Sequence, residues 1–117
     1  MRNTFDKSER LCSKKAIDDL FQGGQRSYAA YPVRVVFRHS DTPENRILVS
    51  VSKRHFKRAV KRNRVKRQIR EAYRLNRNLL SSSGLDIAFL WLSDDLYPSD
   101  IVTEKVKNLL SRIQENA

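Results

Sequence analysis

Val60-Lys61-Arg62-Asn63-Arg64-Val65-Lys66-Arg67-Gln68-Ile69-Arg70 is the stretch on which the reading of this chain turns. It lies inside a longer basic block, Lys53 to Arg77, that holds 12 of the 24 Lys and Arg residues but a single acid, Glu71. At about 100° per residue, Val65, Ile69, Ala72, Asn76, Leu79 and Leu80 fall on one side of a helix. Asn63, Lys66, Arg67, Arg70, Arg74 and Arg77 fall on the other. The spacing predicts an amphipathic helix over about Ala59 to Leu80, with one face for a core and one cationic strip. A merely solvated helix would mix Glu among the cations, because opposite charges one turn apart stabilise it and like charges repel. Self-repulsion on this scale calls for an external polyanion, and nucleic acid is the expected partner.

The flanking segments supply the other elements. Arg46 to Ser52 alternates Ile47, Val49 and Val51 with Leu48, Ser50 and Ser52, a strand pattern. Tyr28 to His39 reads as a loop running into a strand, with Val33, Val35 and Phe37 on one face. Ser40 to Asn45 has turn composition, so these two strands are expected to pair as an antiparallel hairpin. Nearer the start, Ser13 can cap a short helix from Lys14 to about Gln22, striped by Ile17, Leu20 and Phe21 and stopped by Gly23-Gly24. Phe56, Ala59 and Val60 lie off the long helix's apolar face and are expected in a lead-in segment that packs separately. After the turn at Ser81 to Gly84, Leu85 to Leu92 is apolar on both faces, which predicts a central strand. Ser99 or Asp100 caps a last helix to about Gln114, striped by Val102, Val106, Leu109, Leu110 and Ile113. The order helix-strand-strand-helix-strand-helix predicts an α+β chain: a two-layer α/β sandwich on a small mixed sheet, one domain over residues 1–117.

Composition narrows the function. Hydrophobic residues are 39% and charged residues 32%, with a net charge of +11, so part of the surface is expected to serve a charged partner. Cys12 is the sole cysteine, which fits a reducing, cytoplasmic setting. No run approaches the ~18 apolar residues of a membrane span, and the basic helix lacks the Trp and Phe of a membrane-surface helix. His39 and His55 have no ligands at zinc spacing, and the 13 acids are scattered rather than clustered for metal-dependent hydrolysis. No triad order or glycine-rich phosphate loop is present. Catalysis by the protein alone is therefore not expected, and binding is. Arg and Lys would meet phosphates, and Asn63 a base edge or a 2′-hydroxyl. Phe21, Tyr28 and Tyr31 are candidates for stacking on unpaired bases, whereas Trp91 is expected in the core.

The motifs in their context are more specific than the charge. Ser50-Val51-Ser52-Lys53-Arg54, Ala59-Val60, Arg62-Asn63-Arg64-Val65-Lys66-Arg67 and Ile69-Arg70-Glu71 resemble the bacterial ribonuclease P protein subunit, whose signature is an Arg-Asn-Arg motif on a basic helix. The likeness extends to the short opening helix and the element order, and so to nearly the whole chain. It implies a left-handed strand-helix-strand crossover, against the general right-handed preference. It implies an endoribonuclease holoenzyme that removes the 5′ leader from precursor tRNA. In it the catalytic RNA with its bound Mg²⁺ does the chemistry, and the protein contributes binding and no activity of its own. The resemblance assigns RNA contact to Arg62, Asn63, Arg64, Lys66, Arg67 and Arg70, and to Lys53 and Arg54 at the strand end; Arg74 continues the strip. It also implies a cleft for the single-stranded leader between the first helix and the sheet, lined here by Ile17, Phe21, Val35 and Tyr31. Ile17 stands where the family pattern has an aromatic. A monomer in a 1:1 complex with the catalytic RNA, away from membranes, is the expected assembly. A generic or ribosomal RNA-binding protein is the alternative that charge alone leaves open.

Overall fold

A computed structural model of the chain describes residues 26–39, 44–80 and 84–116. The expected opening helix, with Ile17 and Phe21, lies outside the described residues. The described elements are β1 (Arg26–Ala30), β2 (Val33–His39), β3 (Arg46–Ser50), α1 (Ala59–Asn76), a 3-10 turn (Arg77–Leu79), β4 (Leu85–Trp91) and α2 (Ser99–Asn116). They form a mixed α+β fold whose four strands lie in the order β1-β2-β4-β3.

β4 sits in the interior of the sheet. It pairs antiparallel with β2, Val35 opposite Phe89, and parallel with β3, Val49 opposite Phe89. Its apolar residues on both faces explain the position: an edge or half-solvated strand would leave one set in water. The expected β2–β3 hairpin is thereby corrected. β4 inserts between the two strands, so β2 and β3 do not pair with each other. Two strand spacings are only about 10 Å, well within the reach of six residues. A second correction is β1, which takes in Tyr28 to Ala30 of the segment expected as a loop. Its sequence Arg-Ser-Tyr-Ala-Ala has little β-branched or apolar patterning, because it is an edge strand that hardly contributes to the core. Tyr28 is its anchor, stacked on Phe37 with ring centroids 5.6 Å apart.

The main core lies between one sheet face and the two helices. Val33, Val35, Phe37, Ile47, Val49, Leu85, Ile87, Phe89 and Trp91 come from the sheet. Val65, Ile69, Ala72 and Tyr73 come from α1, and Val102, Val106, Leu109, Leu110 and Ile113 from α2. The helix stripes read from the 3.6-residue period are thus the buried ones. Tyr73, which the period did not single out, is 1% exposed, edge-on to Phe89 at 6.2 Å. Phe56 joins this same core, while Ala59 and Val60 are exposed, so the lead-in segment does not pack separately. Each large side chain buried here contributes roughly 1.5–3 kcal/mol.

Gln68 is a second unpredicted fixing point on α1. Its Nε2 donates to Tyr97 O and to Ser99 Oγ, both at 3.0 Å, tying α1 to the start of α2. On the sheet's other face, Val36 and Ala88 form a small separate apolar cluster with Leu48 and Leu90.

Tyr73→Ala should cost about 3–5 kcal/mol in urea unfolding, because a large buried aromatic leaves a cavity. Leu75→Ala, two residues along on the exposed side, should stay within about 0.5 kcal/mol. Ile69→Asp places a carboxylate at a position of zero exposure and should abolish the cooperative melt seen by circular dichroism.

Candidate nucleic-acid interface

Two surfaces carry the candidate residues. The first is built on the segment between β3 and α1 and on the outer face of α1. Ser52 shapes the segment: its Oγ accepts from Arg54 N at 3.1 Å, and its carbonyl accepts from His55 N at 3.1 Å. Val51 and Phe56 are buried at either side, so Lys53, Arg54, Lys57 and Arg58 are held outward on a short anchored loop. His55 Nδ1 lies 2.7 Å from Asp94 Oδ1, which pins this loop to the one following β4. Sequence spacing could not reveal that contact, since 39 residues separate the partners.

Arg62 does not project freely. Its Nη1 donates to Phe56 O and Lys57 O, both at 2.8 Å, closing the loop onto the first turn of α1. Asn63, Arg64 and Arg67 are exposed, and Lys66, Arg70 and Arg74 are half-buried. The strip faces away from the core, as the helical period predicts. Arg64 leaves the helix on the flank toward Leu75, so the strip and its flank present two differently directed cationic surfaces.

Glu71 interrupts the strip. Arg74 Nε donates to Glu71 Oε2 at 3.1 Å, and Arg74 Nη2 donates to Glu71 Oε1. This hydrogen bonding holds the Glu71 carboxyl below the ordinary carboxylate range, and the nearby positive charge adds to the effect. It also raises the Arg74 guanidinium. A depressed carboxylate stabilises the fold above its unfolded pKa, and that contribution fades as pH falls through the lowered value. Arg74 therefore carries a compensated charge, unlike exposed Arg67.

The second surface is the sheet face turned away from the helices. Strand alternation sorts it into three rows across β2, β4 and β3: Arg34-Leu90-Ser50, Val36-Ala88-Leu48 and Arg38-Asp86-Arg46. An apolar row, in which Val36 and Ala88 are buried, thus lies between two rows that carry arginines. Arg34 Nε donates to Ser27 Oγ at 2.8 Å. Arg46 Nε and Nη2 donate to the two oxygens of Asp86 at 2.9 and 3.0 Å.

Of the expected leader-cleft set, Ile17 and Phe21 lie outside the described residues, and the two described members, Val35 and Tyr31, lie apart from any shared cleft surface. Val35 has zero exposure and points into the main core, so it cannot line an accessible cleft; period-2 alternation puts Arg34 and Val36 on the second face instead. Tyr31 is 59% exposed, at the turn between β1 and β2 rather than over the sheet. Among the described residues no group of three His, Cys, Asp or Glu could hold a metal ion. No helix among them is long and apolar enough to cross a membrane.

Comparison with known proteins agrees with this architecture. The sequence model of the Ribonuclease P family matches residues 5–114. The ribonuclease P protein component of Porphyromonas gingivalis W83 is 43% identical over 96% of this chain and 88% of its own length. That of Thermotoga maritima MSB8 is 34% identical over 97% and 99%. Among solved structures, the RNase P protein from Thermotoga maritima superposes with a TM-score of 0.77 at 27% identity, covering 89% of this chain and 96% of that one. The Staphylococcus aureus RNase P protein shares the fold, with a TM-score of 0.78 at 21% identity over 92% and 97%. The chain belongs to the Ribonuclease P protein family.

Proposed function

We propose that this chain is the protein subunit of a ribonucleoprotein endoribonuclease that removes the 5′ leader from precursor tRNA in the cytoplasm. The observation that carries the reading is the outward strip of Asn63, Lys66, Arg67 and Arg70 on a helix whose opposite face is locked in the core. Its partners are the catalytic RNA, in a 1:1 complex, and the precursor's single-stranded leader. Mg²⁺ is held by the RNA and supplies the activation of water. The protein's residues bind and orient.

In this reading Lys53, Arg54, Asn63, Arg64, Lys66, Arg67 and Arg70 meet phosphates and riboses. Arg62 acts by fixing the loop that carries Lys53 and Arg54, given its bonds to Phe56 O and Lys57 O. The leader is assigned to the second sheet face, at whose margin the exposed Arg34 suits a phosphate. Ile17 and Phe21 of the opening segment would line it from the other side, and Tyr31 would meet bases at its end.

Reconstituted with the catalytic RNA, the protein should bind precursor tRNA more tightly than mature tRNA, and the difference should shrink as the leader is shortened. Equal affinity for both would sink leader binding and leave a generic RNA-binding protein, the runner-up. Separately, Arg67→Ala should weaken RNA binding and reduce the log-log salt slope by about 0.7, the increment for one single-strand phosphate contact. Its thermal melt should match the parent; a lost transition would place Arg67 in the core instead of on the strip.

A further inference from the structure

His55 and Asp94 join two loops at one end of the sheet, where β3 and β4 finish and β2 begins. His55 Nδ1 lies 2.7 Å from Asp94 Oδ1. An ionised carboxylate only accepts, so the proton of that bond sits on Nδ1. The root of the ring is fixed as well: His55 N donates to Ser52 O at 3.1 Å, and the next residue, Phe56, is buried. The side chain is 21% exposed, and Nε2 has no hydrogen-bond partner among the described residues. The two nitrogens lie on opposite sides of the ring, so Nε2 is turned away from the Asp94 loop. A latch needs only one donor, and Lys or Arg would supply it at every pH. An imidazole adds a second nitrogen and a charge that ordinarily changes between about pH 5 and 8.

We propose that His55, oriented by Asp94, is a further phosphate-binding residue of this interface and binds as the imidazolium, so that RNA binding takes up a proton. The proposal rests on the RNA-binding reading of the loop between β3 and α1.

The hydrogen-bond inventory carries the step. A phosphodiester oxygen only accepts. With the Nδ1 proton given to Asp94, a neutral ring presents a bare lone pair at Nε2, which repels a phosphate. Protonation puts an N–H there, and the ring then donates on both sides, to the carboxylate and to the phosphate. A 2′-hydroxyl could donate to the neutral ring, but the surrounding cations favour an anion. Lys53, Arg54, Lys57 and Arg58 are exposed on the same loop. Arg62, bonded to the Phe56 and Lys57 carbonyls, and Lys61 beside it come from the first turn of α1. Asp95 adjoins Asp94 on the opposing loop. A phosphate drawn in by these cations adds negative charge next to Nε2 and favours the imidazolium in the complex over the free chain. His39, the other histidine, closes β2 at the far end of the sheet and does not share this environment. Asp94 is accordingly a positioning residue and His55 a binding residue.

The test measures two affinities, each at about pH 5.5 and about pH 7.5 in one salt, across the range where imidazoles titrate. One is that of the full chain for the catalytic RNA, and the other is that of the assembled complex for precursor tRNA. The parent should bind more tightly at the lower pH, by up to about tenfold per pH unit, the limit for one proton. A gain in the first affinity assigns the phosphate to the catalytic RNA, and a gain in the second assigns it to the precursor; either supports the proposal. His55→Gln should lose the gain and come nearest its parent at the higher pH. His55→Arg, charged throughout, should bind at the higher pH as the parent does at the lower. Asp94→Asn keeps an acceptor oxygen without the charge, so it should retain the gain but move it to lower pH. Equal parent affinities at both pH values overturn the proposal, as does a gain kept in full by His55→Gln. A loss in His55→Gln that is the same at both pH values also overturns it and leaves the pair a latch between loops. A parent that binds neither RNA at either pH removes the RNA-binding reading itself.

Discussion

Leu85–Trp91 has almost nothing to offer water. Six of its seven residues are apolar, and the seventh, Asp86, is buried against Arg46. Such a strand must be covered on both faces and paired on both edges, and the rest of the molecule is arranged to do so. β2 takes one edge and β3 the other, so two strands adjacent in sequence are separated in space. α1 becomes the crossover that returns the chain parallel to β3, and with α2 it closes the larger core. The direction of the cationic strip follows: once Val65, Ile69, Ala72 and Tyr73 are seated on the sheet, Asn63 and Arg67 can only face outward.

The basic residues then divide by how much of their charge is compensated. Lys53, Arg54, Arg64 and Arg67 are exposed, and they are held by backbone anchors at a distance: Ser52, Phe56 and the bonds of Arg62. Such groups attract a polyanion strongly and without regard to sequence, because phosphates are alike. Arg74 and Arg46 are each matched by a carboxylate, one at the surface and one buried. A compensated guanidinium loses reach and gains a fixed orientation. The exposed pair is worth little to stability, whereas the buried Asp86 would be costly without its partner.

The sequence by itself determined the helix stripes, the exposed strip, the central strand and the family resemblance. Each depends on a period of 3.6 or 2, or on a contiguous motif, and a period is visible without knowing what lies across it. The strand alternation even contained the correction to Val35, because its neighbour Val36 necessarily faces the other way. Only the tertiary structure decided the rest. Strand order turned on which partner β4 needed, and β1 had too little apolar pattern to announce an edge strand. Tyr73, Gln68, the His55–Asp94 contact and the Arg46–Asp86 pair all depend on groups far apart in the chain. Local pattern fixes which side of an element is apolar; closure of the sheet fixes what each remaining polar side chain meets.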